Sequence, residues 1–260
     1  MTRVGVARRA DGSGVALDLA TTALLPRVLA TTPRGARVAL VGARALLLAG
    51  DAVHVDVTVG AGCTLDVVEV AGTVAYDGRG GPPSSWTVRA RLGEDARLLW
   101  HGEPFVVAGG ADVLRTLEVD LAPGARALLR EVLVLGRSGE RGGALLNRTR
   151  ARREGRALLA EDLDLTDTGL RASPAVLGPA RCLDTVTLLG ARAEGEDVLQ
   201  LEGPGSQVRA LLTDAHTSPL GAVWARWRTG VLPLGDRAGT TCTTTEGSRL
   251  AGAHAGTGRA

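Results

Sequence analysis

Lysine is missing from the 260 residues, so all 30 cationic side chains are arginine. That excludes chemistry that needs a lysine, including a P-loop nucleotide site, Schiff-base catalysis and a kinase-type phosphate clamp. Aromatic residues are scarce at 2%, with one Phe and one Tyr, so the core has to be built from Val, Leu and Ala. Net charge is almost absent at +2, which argues against a generic binder of nucleic acid or anionic membrane, since either needs a basic excess. The three cysteines, Cys63, Cys182 and Cys242, are odd in number and never at CxxC spacing. They make no disulfide framework and suit a reducing, cytoplasmic setting. The longest stretch without a formal charge, residues 215–225, falls well short of the roughly 20 residues of a membrane span. Arg8-Arg9 has the form of a twin-arginine signal, but Asp11, Asp18 and Pro26-Arg27 interrupt the apolar run such a signal needs, so export is not expected.

The dominant pattern present is period two. Val53, Val55, Val57 and Val59 alternate with His54, Asp56 and Thr58, as in a half-buried strand. Val113, Arg115, Leu117, Val119 and Leu121 alternate with Leu114, Thr116, Glu118 and Asp120, and Leu159, Glu161, Leu163 and Leu165 give a weaker case. The apolar runs 65–76 and 127–135 predict strands buried on both faces. Glu154-Gly155-Arg156 predicts a hairpin tip, and the GGPPSS run at 80–85 a loop. Four related triplets, Gly35-Ala36-Arg37, Gly62-Cys63-Thr64, Asp95-Ala96-Arg97 and Gly124-Ala125-Arg126, each open a strand-like run at uneven spacing. They predict equivalent hairpin turns rather than strict solenoid repeats. The fold expected is mostly β, a layered multi-stranded sheet core with short helices toward the C-terminal end.

Helix signals come late. Ser206 is placed to cap a short helix over 207–214. Ser218-Pro219 is the better start, with Ser as N-cap and Pro at the first helical position. Leu220, Val223, Trp224 and Trp227 then share one stripe, with Arg226 and Arg228 near the negative helix end. Trp224 and Trp227 fit two roles equally, core anchors or a partner-binding hot spot. From about residue 235 the chain is Gly, Thr, Ala and Arg with few large apolar residues. The expectation is one β domain over 1–234 and a disordered tail over 235–260.

No nucleophile elbow, HExxH helix or paired Cys-His metal spacing occurs. His54 with Asp56, and His101 with Glu103, each place two metal-ligand types on one face if extended, although a solvated polar face explains such pairs as well. Asp66, Glu69, Glu103, Glu131 and Glu140 sit beside apolar runs. Inside a β core they need arginine partners, or else they line a polar channel.

Several blocks, in order, resemble one protein family. ALLLAGD at 45–51, followed by an alternating strand and VGAG at 59–62, is similar to the opening of the urease accessory protein UreD (UreH) family. VAGTVAY at 70–76, ARLLWHGEPFVV at 96–107 with Gly110-Ala111, VDLAPGA at 119–125 and EVLVLGRSGE at 131–140 continue the likeness. The chain resembles the actinobacterial branch most. It lacks the family's Thr-Gln and Lys near the tyrosine, and His101-Gly102-Glu103-Pro104 stands where the family has Leu-Pro-Gln-Glu.

The resemblance implies a mostly β protein that is not an enzyme, and no tightly bound cofactor. It implies an assembly with a UreF-type and a UreG-type accessory protein docked on apo-urease, and transient Ni²⁺ passing along a water-filled tunnel toward the urease centre. On that basis the candidate nickel path is Asp66, Glu69, Glu103, Glu131 and Glu140, and the candidate partner-binding residues are Trp224 and Trp227. A β-rich interaction scaffold with no ion path is the alternative. A metalloenzyme using His54, Asp56 or His101 is a third reading, disfavoured by the lack of His/Cys clustering.

Overall fold

A computed structural model describes residues 1–195 and 197–232; the tail expected over 235–260 lies outside them. The strands, in chain order, are β1 (Thr2–Arg8), β2 (Val15–Ala20), β3 (Leu24–Thr32), β4 (Gly35–Gly42), β5 (Ala52–Val59), β6 (Thr64–Glu69), β7 (Thr73–Ala75), β8 (Ser84–Leu92), β9 (Arg97–Val107), β10 (Asp112–Leu121), β11 (Arg126–Leu135), β12 (Ala144–Arg153), β13 (Arg156–Asp164), β14 (Cys182–Leu189), β15 (Leu199–Gln200) and β16 (Gly205–Leu212). Short 3₁₀ turns occupy Leu170–Ala172 and Ala215–Thr217, and α1 spans Leu220–Val231.

The strands form two sheets. One has the order β13-β12-β10-β8-β5-β1-β2; the other runs β15-β16-β14-β11-β9-β6-β4-β3, with β7 also on β9. From β1 through β5, β8 and β10 to β12, neighbours in the first sheet are parallel. So are β4, β6, β9 and β11 in the second. The chain alternates between sheets, β5 to β6, β8 to β9, β10 to β11, and so winds as a two-sheeted solenoid. This corrects the reading of the four triplets. Only Gly35-Ala36-Arg37 closes a hairpin, between β3 and β4; the other three are arcs that carry the chain from one sheet to the other. They are therefore repeat boundaries, one per turn.

Two further expectations change. Residues 65–76 form two strands rather than one, because the chain leaves the sheet at exposed Val70, Ala71 and Gly72. Residues 207–214 are not helical: β16 pairs along its whole length with β14. The helix after Ser218 is present, and the Ser218 hydroxyl accepts the Leu220 N–H at 3.1 Å. The Glu154-Gly155 hairpin is also present, both residues having positive φ, 51° and 76°, as a tight two-residue hairpin turn requires.

Parallel, in-register stacking puts like positions of successive turns in rows. On the inner face of the first sheet, Val57, Ala90, Val119 and Ala151 form one row and Val55, Val88, Leu117 and Thr149 the next. On its outer face Arg3, Asp56, Arg89, Glu118 and Arg150 form a row of alternating sign, with Arg89 and Glu118 2.8 Å apart. Most of the apolar core lies between the sheets. A second cluster packs α1 against the outer face of β11, β14 and β16, through Leu220, Trp224, Trp227 and Val231.

Candidate functional site: a polar tier at a break in the second sheet

One tier of the interior is polar. The row Val53, Trp86, Arg115, Asn147 faces inward from the first sheet. Opposite it, the second sheet presents Glu69, Glu131, Thr185 and Arg209, the last two being register partners. The apolar tiers of Leu129 and Leu133 lie either side. Arg115 donates to Glu131 in a close ion pair, and its Nη1 also donates to Asn147 Oδ1 at 3.0 Å. Its carbon Cζ stands 5.5 Å over the Phe105 ring. Farther along, Arg209 meets Glu161 through two 2.8 Å hydrogen bonds.

At this tier the second sheet is broken. β6 ends at Glu69 and β7 begins only at Thr73. Beside the gap β9 bulges: His101 pairs with Arg130 and Pro104 with Val132, so Gly102 and Glu103 together oppose Glu131. Gly102 is required there, since a β-carbon would lie 2.6 Å from the Arg130 carbonyl oxygen. The Glu69 carboxylate holds the bulge, accepting the Trp100 indole N–H and the Glu103 backbone N–H, both at 3.0 Å. Burial pushes the Glu69 carboxyl above its ordinary range, and these hydrogen bonds oppose the shift only in part.

Glu69, Glu103 and Glu131 line one small cavity at the break, together with Arg115, Arg130 and Trp86. It leaves about 30 Å³ for the centres of water molecules, enough for one or two waters. It shares Glu69 and Trp86 with a larger cavity opening beside Arg44, Val70 and Tyr76. Across the sheet it shares Gly102, Glu103, Arg130 and Val132 with a third, which opens beside Arg181, Asp214 and His216. The three cavities thus neighbour one another through the break.

On the outer side, His101 Nε2 accepts from Arg130 Nη1 at 3.0 Å, leaving Nδ1, the proton-bearing nitrogen, 3.8 Å from Glu103 Oε1. Burial, and then the Arg130 charge, pull the His101 pKa down. Arg130 also donates to both oxygens of Asp184, which is 0% exposed and accepts a third hydrogen bond, from the Ser218 hydroxyl at 2.6 Å. The break is therefore tied to the start of α1.

The other candidate residues lie elsewhere. Asp66 faces outward and is paired with Arg228 of α1 at 2.9 Å and with Arg37 at 3.5 Å. Glu140 organises a surface turn, accepting the Gly109 and Arg137 N–H groups and the Arg137 guanidinium, which hold its carboxyl down at about 2. Trp224 and Trp227 are 8% and 5% exposed and pack, as core anchors do, against β11, β14 and β16. His54 is exposed on the outer face of the first sheet. Among the described residues, no three His, Cys, Asp or Glu side chains converge to hold a metal ion, and no helix is long and apolar enough to cross a membrane. Arg115 and Asn147 are site residues that sequence reasoning missed. Arg115's place among Val113, Leu117 and Val119 marks it as an inward arginine, which needs a buried acid.

Residues 3–258 match the family model of the UreD urease accessory protein. The chain is 52% identical over 234 residues to urease accessory protein UreD 1 of Streptomyces griseus, covering 88% of this chain and 91% of that one. It is 38% identical over 194 residues to UreD of Streptomyces coelicolor, covering 69% and 76%. With UreD of Frankia alni the identity is 39% over 206 residues, covering 68% and 69%.

Proposed function

Because the chain belongs to the UreD family of urease accessory proteins, with a role in urease maturation, we propose that it acts without turnover of its own, as a chaperone that scaffolds the accessory assembly on apo-urease and passes Ni²⁺ through the break in its second sheet. Residues 1–234 serve as one working unit. The partners are UreF-type and UreG-type accessory proteins and apo-urease, and the setting is the cytoplasm. The observation that carries the nickel path is the gathering of Glu69, Glu103 and Glu131 on one cavity wall, with a further cavity on either side. Carboxylates suit a divalent cation that must be held weakly and released, and a loose set of ligands does that better than a closed site. Asp66 and Glu140 drop out of the path, since other groups engage them away from these cavities.

The test is Glu103→Gln. Glu103 has no arginine partner among the described residues, His101 Nδ1 lies 3.8 Å from it, and its side chain is 38% exposed. The substitution should leave the melting temperature within about 2 °C of wild type, corresponding to about 0.5–1 kcal/mol at most. Nickel in urease matured with the variant should nevertheless fall several-fold. Full nickel content would defeat the ion path and leave the scaffold. The scaffold-only reading has one specific observation behind it: Arg115 already neutralises Glu131.

A further inference from the structure

A groove runs beside the C-terminal half of α1, bounded by the start of β11 and the loop after β14, with about 230 Å³ of room. It shares no wall with the cavities at the sheet break, and nothing in the nickel path uses it. Its cationic wall comes from Arg126, Arg192 and Arg226, against which stands one acid, Glu194. Arg192 is engaged by the Gln200 side chain and the Glu202 carbonyl. Arg126 and Arg226 form no ion pair among the described residues, and Arg126 lies in register beside a second arginine, Arg97. Arg226 packs over Gly195, where a β-carbon would come within 3.5 Å of Nη2. Trp227 forms part of the wall, and its indole N–H, though buried, has no acceptor among the described residues. A buried donor left open is costly, so the site is short of an acceptor. The remaining wall is apolar: Leu188, Ala191, Ala193 and Val231.

We infer that this groove receives an acidic peptide segment of a protein partner, one carboxylate seated between Arg126 and Arg226 and its flanking apolar side chains against Leu188 and Val231. The planar fork of a guanidinium matches a carboxylate in two hydrogen bonds, and the Trp227 N–H offers a third donor after a small local shift. The apolar wall is what favours a peptide over a free inorganic anion, which would gain nothing from it. Arg226 is exposed on the helix, so a partner can approach without unfolding any element.

The experiment uses the full chain and a fluorescein-labelled hexapeptide of alternating leucine and glutamate, read by anisotropy against the same peptide with glutamine for glutamate. The acidic peptide should bind about tenfold or more tightly than its neutral counterpart, and Arg226→Glu should erase that difference. Arg27→Glu, the same charge change on exposed β3 at the far edge of the sheet, should leave binding unchanged. Trp227→Phe, which keeps an aromatic ring but deletes the N–H, should weaken it several-fold. Unaltered binding in Arg226→Glu, or equal loss in Arg27→Glu, would overturn the assignment. If Trp227→Phe does not fold, the arginine pair still decides.

Discussion

Glu69 Oε2 accepts the backbone N–H of Glu103 at 3.0 Å, across the place where β6 stops and β9 bulges. One carboxylate thus closes a gap that backbone pairing leaves open, and it does so without an ion pair of its own among the described residues. Its burial makes it sensitive to pH. With the folded pKa raised, the folded chain binds this proton more firmly than the unfolded chain does. The destabilising charge therefore appears as pH rises above the ordinary carboxylate range and is complete above the raised folded value. Glu69→Gln removes it, so the difference in stability between the two proteins should change over that window and stay constant on either side. Urea midpoints measured from pH 4 upward check this; parallel curves at every pH would contradict it.

Asp184 is the buried hub between Arg130 and Ser218. Asp184→Ala leaves the Arg130 guanidinium without its counter-charge and should cost about 3–5 kcal/mol in equilibrium unfolding. Ser218→Ala loses one hydroxyl that both donates to Asp184 and caps α1, and should cost about 1–2 kcal/mol.

Arg115 and Glu131 form an ion pair within the polar tier, their side chains only 12% and 15% exposed. Glu131→Ala should destabilise by about 3–5 kcal/mol, because it strands a buried guanidinium. Pairing Glu131→Leu with Arg115→Met should recover most of that loss. A double variant as unstable as the sum of the two single ones would show that the groups do not act as a unit.

Glu140 gives the opposite pH signature to Glu69. Its carboxyl is held down at about 2 by the Arg137 guanidinium and the Gly109 and Arg137 N–H groups. The order it lends the 136–143 turn should be fully present above the ordinary carboxylate range and be lost as pH falls toward 2. Protection of the Gly109 amide, its exchange relative to the intrinsic rate at each pH, should fall over that interval in wild type and already be low at neutral pH in Glu140→Ala. Nickel delivery should survive the substitution better than it survives Glu103→Gln.

The strands were legible because alternation is a local signal: Val53, Val55, Val57 and Val59 point inward as their spacing demands. The winding was not. A triplet such as Gly124-Ala125-Arg126 opens a strand identically whether the chain folds back on itself or crosses to the other sheet, and only pairing partners far along the chain distinguish the two. The misplaced helix at 207–214 has a related cause: its residues suit a helix locally, but the pairing of 207–212 with β14 outweighs that preference. Of the acids singled out by their apolar neighbours, Glu69, Glu103 and Glu131 line one cavity. Asp66 shares that context, and only its parity within β6 turns it outward, toward an arginine 162 residues later.

The row Arg3, Asp56, Arg89, Glu118, Arg150 also constrains how the chain can go wrong. A nascent coil that skipped a rung would lay β5 directly on β10, setting Asp56 against Glu118, and β8 on β12, setting Arg89 against Arg150. Both encounters repel. Contacts of that kind disfavour a skipped rung, a hazard peculiar to chains whose successive windings look alike.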